Sequence, residues 1–420
     1  MPPPRRRNRD DDEPRSAPPP ALADQRPLVE ADLKPKAGTY LAKPTRRPLI
    51  YAKQIRGIEG KARPGDLVAV HTDDGPPFGY AYFNPRAEIQ LRVIRRGSEP
   101  PDETFWNERL KQAVSLRRDA LKLDLTTDAY RVLHAESDGF SGLAADRFAD
   151  VVSLEAFSLA MWQRSQDVAE RLLPLLDAEH YIIRPGPAVT AQEGFAASPF
   201  SSAGAPEAAL IVENDVKYRV QFAGGHKTGF FCDQRDNRRR LAELCAGKSV
   251  LDLCCYSGGF SVQAKKKGDA SEVVGVDLDA EPLAWAKENA NLNQVRCQFV
   301  QADVFAYMRD LQSQARQFDV VVLDPPKLIR NRAEYDEGAA KHYDLNKLAA
   351  GIVASGGLLL TCSCAGLLPA EEFLRIVFQA CRSAGREVKL LETRGAAADH
   401  PVSPDCSETE YFKSHWLYVA

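Results

Sequence analysis

Four aspartates stand just after short apolar runs in the second half of this 420-residue chain. Asp252 lies in Ser249-Val250-Leu251-Asp252-Leu253, Asp277 closes Val273–Val276, Asp303 follows Gln301-Ala302, and Asp324 closes Val320–Leu323. A tight Gly258-Gly259 pair follows the first, and Pro325-Pro326-Lys327 follows the last. An acid at the end of a strand suits two ribose hydroxyls, and a glycine turn lets the backbone approach a ligand closely. The turn lacks the G-x-G-x-x-G spacing that seats a dinucleotide pyrophosphate. The chemistry implied is the holding of a single nucleoside.

The elements that must position these acids follow from the same runs. A buried strand, a glycine turn, an amphipathic run and a second strand form half of a nucleoside-binding sheet. Acids at the carboxyl ends of successive strands line one crevice in a doubly wound sheet. Leu345–Ala354 and Ala370–Ala384 read as helices, Gly357–Thr361 as a buried strand ending at Cys362-Ser363-Cys364, and Glu410–Val419 as the last strand. Ile329–Tyr343 is highly charged and reads as a loop. Residues 206–420 are thus expected to be an α/β domain with a seven-stranded, mostly parallel sheet.

Upstream, residues 1–35 are rich in proline, arginine and aspartate and read as a disordered tail. Residues 36–104 show short strands between turns, as in a small β-barrel. From Lys34 to Ser98 there are 13 Lys/Arg against 5 Asp/Glu, in a chain of net charge −3. A basic module on an acidic body suggests a substrate-guiding domain for nucleic acid. Residues 105–205 read as a separate α+β domain, with helices over Phe105–Leu123 and Met161–Leu176 and strands over Tyr130–His134, Val151–Phe157 and Tyr181–Arg184. Ser137–Gly139 and Asp146–Phe148 read as turns. Ala209–Phe222 reads as a strand pair leading into Gly224–Arg235, a run dense in glycine, aromatic and polar residues. The nine cysteines show no C-x-x-C spacing and no paired histidine pattern, so no metal is expected and reduced thiols of a cytoplasmic enzyme fit. No run of about 18 apolar residues predicts a membrane span.

The runs GHKTGFFCDQR, LDLCCYSGGF, VDLDAEPLAWAKENANLN, ADVF, DPPK, GGLLLTCSC and AADHP occur in one order. In this order they resemble the bacterial PUA-containing 23S ribosomal RNA cytosine-5 methyltransferases, over roughly residues 36–420. The resemblance implies a class I S-adenosylmethionine-dependent methyltransferase fold in residues 206–420 and a PUA-like RNA-binding domain in 36–104. It implies ribosomal RNA as partner and S-adenosylmethionine as cofactor. It places Cys364 at the nucleophile position, with Cys362 as the rival thiol, and Asp324 beside the target base. Asp252, Tyr256 and Gly258 would surround the methionine part of the cofactor, Asp277 the ribose and Asp303 the adenine amine, with Phe230 and Gln234 flanking the pocket. Lys327, Lys227 and Arg235 would meet the RNA.

Cytosine C5 is a weak carbon nucleophile, and a thiolate added at C6 makes it enamine-like. That need explains a cysteine at a strand end. The sequence departs from the family pattern at Cys254, Ala365 and Arg47-Pro48-Leu49, which stand where phenylalanine, serine and His-Pro-Trp are usual. Two other functions remain open at this stage: methylation of a base nitrogen with an inert cysteine, and a non-catalytic RNA-binding or assembly factor.

Overall fold

The computed structural model describes residues 22–29, 34–72, 75–223 and 228–420. Six strands come first: β1 (Ala37–Leu41), β2 (Leu49–Tyr51), β3 (Ile55–Gly60), β4 (Leu67–His71), β5 (Gly79–Phe83) and β6 (Ile89–Arg96). They form one mixed sheet in the order β2-β6-β5-β4-β1-β3. One face closes over Leu41, Ile50, Val68, Val70 and Leu91. The other sends Leu67, Tyr80, Tyr82 and Ile94 into the core of the next domain.

That domain begins with α1 (Glu103–Ser115), capped by Asp102, whose side chain accepts from the Phe105 N–H at 2.8 Å. Its strands are β7 (Ala129–His134), β8 (Leu143–Phe148), β9 (Val151–Ala156), β10 (His180–Pro185) and β11 (Phe200–Ser201), in the order β11-β10-β9-β8-β7. Helix α2 (Leu159–Leu176) packs across them. Residues 22–29 bind along α2 rather than forming part of a disordered tail. Leu28 is fully buried, its N–H donates to Asp167 at 3.0 Å, and Gln25 donates to the Trp162 carbonyl at 2.8 Å. Asp146–Phe148 is the end of β8, not a turn, because Asp146 is buried in an ion pair with Arg131.

A hairpin, β12 (Ala208–Glu213) and β13 (Val216–Gln221), joins this domain to the last one. Its apolar face packs on Ala129 and Phe148 on one side and on Val262 and Ala290 on the other. Then come α3 (Arg235–Leu244), β14 (Ser249–Leu253), α4 (Gly259–Lys266), β15 (Glu272–Asp277), α5 (Ala280–Leu292), β16 (Gln298–Gln301) and α6 (Val304–Ser313). They are followed by β17 (Phe318–Leu323), α7 (Tyr335–Gly351), β18 (Val353–Ser363), α8 (Ala370–Ser383), β19 (Val388–Arg394) and β20 (Lys413–Val419). The sheet order is β16-β15-β14-β17-β18-β20-β19; only the pairings made by β20 are antiparallel.

Strands β14, β17 and β18 read as unbroken apolar runs because helices cover both faces. The chain reverses direction across the sheet between β14 and β17, which opens a crevice at their carboxyl ends. The stretch expected to be a loop after Asp324 is largely α7. Its acids Asp336 and Glu337 sit in the first turn, where the helix dipole favours them, and Gly338, His342 and Leu345 supply the buried face.

Candidate active site

The glycine turn after β14 needs three left-handed residues in five: Cys254, Tyr256 and Gly258 have φ of 63°, 47° and 78°. A Cβ on Gly258 would lie 3.0 Å from the Ala286 Cβ of α5, so glycine there is demanded by packing as well as by conformation. Asp252 braces this turn from below. It is fully buried, and one oxygen accepts from the Ser261 N–H at 3.0 Å and hydroxyl at 2.6 Å. Its other oxygen has no partner among the described residues. Burial pushes its carboxyl up to about 6, against the pull of the Ser261 bonds.

Asp277, at the end of β15, accepts from the Tyr256 N–H at 2.8 Å and the Asp279 N–H at 3.1 Å. Each oxygen keeps a lone pair for a further donor. Asp303 caps α6 by accepting from the Ala306 N–H at 3.0 Å, and it is exposed at the crevice rim. Tyr256 meets Phe231 edge-on at 5.2 Å and Trp285 at 6.0 Å. Phe230, the residue expected beside the pocket, is instead buried in the hairpin core between Tyr218 and the Arg238 guanidinium. The aromatic ring flanking Tyr256 is that of Phe231, one residue later.

Asp324 follows β17 and accepts from the Gln234 amide at 2.8 Å. The same amide nitrogen donates to the Cys362 sulfur at 3.4 Å, while the Gln234 carbonyl accepts from Asn237 at 2.8 Å. Gln234 therefore orients the carboxylate of Asp324 and lies between β17 and β18, at Asp324 and Cys362.

The two rival cysteines differ in position. Cys362 is within β18, fully buried among Leu360, Phe412 and Trp416, and burial pushes its thiol well up. Cys364 stands one residue beyond the strand and is partly exposed. The turn that follows it is held by Lys413, the first residue of β20. The Lys413 ammonium donates to the Ala365 carbonyl at 2.5 Å and the Leu368 carbonyl at 2.6 Å. Burial lowers its pKa to about 8, with the Cys364 sulfur acting in the opposite direction. Nothing in the spacing of the sequence pointed to this lysine, which lies 48 residues after the carbonyl it binds.

Of the cations expected on RNA, Lys327 is exposed beside Asp324, and Lys227 lies outside the described residues. Arg235 is not available. It is 3% exposed and clasps Asp399 through two bonds of 3.0 and 2.6 Å. The central domain completes this knot: the Arg131 N–H donates to Asp399 at 2.8 Å and the Arg117 guanidinium to the Asp399 carbonyl at 2.7 Å. Two domains thus meet at the residue next to Gln234.

A seven-stranded sheet of this order, with acids at its switch point and a glycine turn after its first strand, defines a class I methyltransferase. The match to known families agrees: an S-adenosylmethionine-dependent methyltransferase family covers residues 144–392 and a PUA-like domain family residues 33–96, and the chain belongs to the former with the latter as its N-terminal domain. It is 36% identical over 375 residues to the ribosomal RNA large subunit methyltransferase I of Vibrio cholerae, covering 88% of this chain and 94% of that one. The protein of the same name from Aeromonas hydrophila is 38% identical over 377 residues, with the same coverage. Among solved structures, a methyltransferase complexed with SAH shares the fold at a TM-score of 0.75 and 22% identity, covering 89% of this chain and 95% of that chain. A methyltransferase from Streptococcus mutans does so at 0.76 and 20%, covering 91% and 99%. The methyl donor is S-adenosylmethionine, and no helix among the described residues is long and apolar enough to cross a membrane.

Proposed function

We propose that this enzyme methylates C5 of a cytosine in large-subunit ribosomal RNA, 23S RNA in bacteria, through a covalent adduct with Cys364. The observation that carries this is the placement of a partly exposed cysteine just past β18, on the strand next to the one that ends in Asp324. The relatives' name supports the RNA.

The crevice suits the donor. Asp277 has free lone pairs for ribose, Asp303 stands at the rim for the adenine amine, and the turn from Tyr256 to Gly258 leaves room for the methionine part. The unpartnered oxygen of Asp252 lies beneath that turn. S-adenosylmethionine supplies an electrophilic methyl group there.

The chain's own residues do the rest. The Cys364 thiolate bonds to cytosine C6 and moves electron density to C5. Asp324, oriented by Gln234, hydrogen-bonds the N3–N4 edge and steadies the adduct. C5 takes the methyl as S-adenosylhomocysteine departs; the C5 proton passes to solvent, its bonding pair re-forms the C5–C6 double bond, and the C6–S bond breaks to return the thiolate. The Lys413 cation favours the thiolate and fixes its turn.

RNA carrying 5-fluorocytosine tests this, because fluorine at C5 blocks the last proton loss. A protein–RNA species that survives denaturation and requires S-adenosylmethionine is expected. Cys364→Ala should abolish it and Cys362→Ala should not. Adducts lost only in Cys362→Ala would reverse the choice of cysteine. Methyl transfer with no adduct in any variant would favour a base nitrogen as the target.

A further inference from the structure

Arg235 is sealed against Asp399, and besides the exposed Lys327 other cations could guide RNA. They gather at a crevice of about 430 Å³ where the N-terminal sheet, α1 and the segment around Ser403–Asp405 meet. Arg46, Arg95, Arg96 and Arg109 line it, against the acids Glu136 and Asp405. Arg47 reaches from the sheet to Glu408 and so ties the two walls together.

The way these arginines are held matters more than their number. Arg96 donates to the carbonyls of Thr45, at 3.2 Å, and of Arg46. Arg95 donates to the Pro100 carbonyl at 2.8 Å, and its one carboxylate, Glu99, is largely exposed. A carbonyl fixes a guanidinium without cancelling its charge. The Phe105 ring also holds Arg95 and adds Arg109: their guanidinium carbons lie 5.0 and 4.8 Å from its centre. Arg46 and Arg109 make no ion pair among the described residues. Glu136 is already engaged by Arg92 at 3.5 Å and Ser141 at 2.9 Å. The crevice therefore carries four guanidinium groups against two carboxylates, one of them already engaged, and is net positive in a chain whose net charge is −3.

We infer that this crevice seats a phosphodiester of the RNA substrate, a reading that rests on RNA being the substrate. A guanidinium binds phosphate oxygens through paired N–H donors, and such bonds set register without reading sequence. The one aromatic ring in the wall is occupied by arginines. The site thus grips the backbone, leaving base recognition to the crevice at Cys364.

The full chain and a labelled single-stranded fragment of large-subunit ribosomal RNA provide the test. Binding is measured across a salt series for wild type, for Arg46→Gln/Arg109→Gln, and for Arg46→Lys/Arg109→Lys. The glutamine pair should bind more weakly, with the slope of log affinity against log salt reduced by about 0.7 for each phosphate no longer neutralised. The lysine pair should keep most of the slope, which a merely structural role for these side chains would not predict. S-adenosylmethionine affinity, read by calorimetry, should hold in both. An unchanged slope in the glutamine pair overturns the inference. Inorganic phosphate that raises the wild-type melting point but not the variant's, with RNA slopes equal, would make this a free-anion site and also overturn it. Wild type that binds no RNA at any salt would instead remove the substrate reading on which the inference rests.

Discussion

Replacing Asp399 by asparagine should destabilise the chain by several kcal/mol, and in a pH-dependent way. Asp399 is fully buried and Arg235 is 3% exposed, so neither charge is solvated. Asparagine leaves the guanidinium facing a neutral acceptor in place of two charge-assisted bonds, 3.0 and 2.6 Å long. Removing one member of such a pair costs about 3–5 kcal/mol, because the other stays buried and arginine cannot shed its proton. Burial alone would raise the carboxyl pKa, but the Arg235 and His400 charges outweigh it and hold it far below the usual range. A depressed folded-state pKa stabilises fully above the unfolded value of about 3.9 and less as pH falls below it. Wild type and variant should therefore differ by the same full amount from about pH 5 to 7, and the difference should shrink progressively only as pH falls below about 4. Hydrogen exchange across Arg235–Leu244 reads this locally, which suits a chain of several domains. Removing both charges, as in Arg235→Met/Asp399→Leu, should recover much of the loss. A cost under about 1 kcal/mol at pH 7, or one equally large at acid pH, would refute a desolvated pair.

The nucleoside acids and the lysine give further tests. Asp277→Ala should weaken S-adenosylmethionine binding by about 1.5–3 kcal/mol, the usual worth of hydrogen bonds to a charged group, with little change in melting point; calorimetry with an unchanged affinity would remove Asp277 from the site. Lys413→Met should slow adduct formation and move the pH of half-maximal rate upward, because a nearby cation favours the thiolate. In wild type the Lys413 charge fades above about pH 8, so the alkaline side of the rate profile should fall there. Lys413→Arg should lose that decline, since arginine stays charged.

The parts of the site that rest on local pattern were legible in the sequence. Apolar runs announced β14, β15 and β17, and the aspartates at their ends lie where those runs place them. What failed was facing and partnership. Gly229, Phe230 and Phe231 sit in a stretch without a period, so nothing distinguished the ring that enters the core from the ring that meets Tyr256. Arg235 is expected on the RNA from the sequence because its partner, Asp399, is 164 residues away. Cys362 and Cys364 share a face only if the strand continues. The strand stops at Ser363, and the turn beyond it is fixed by a lysine from another strand. The charges of α7 masked its helical period, since they lie on its solvent side and at its first turn.

The position of β20 has a consequence for the order of assembly. It follows both β18 and β19 in the chain yet lies between them in the sheet, paired with each. Until it arrives, β18 has a bare edge and β19 has no neighbour to join. Such an edge is a template for wrong pairing, and a strand inserted late must close long loops before any pairing rewards it. Because β20 also brings Lys413, the turn after Cys364 sets only when that insertion is complete. The pairing of β14 with β15, which sets Asp252 and Asp277, needs no part of β20, whereas the turn after Cys364 does.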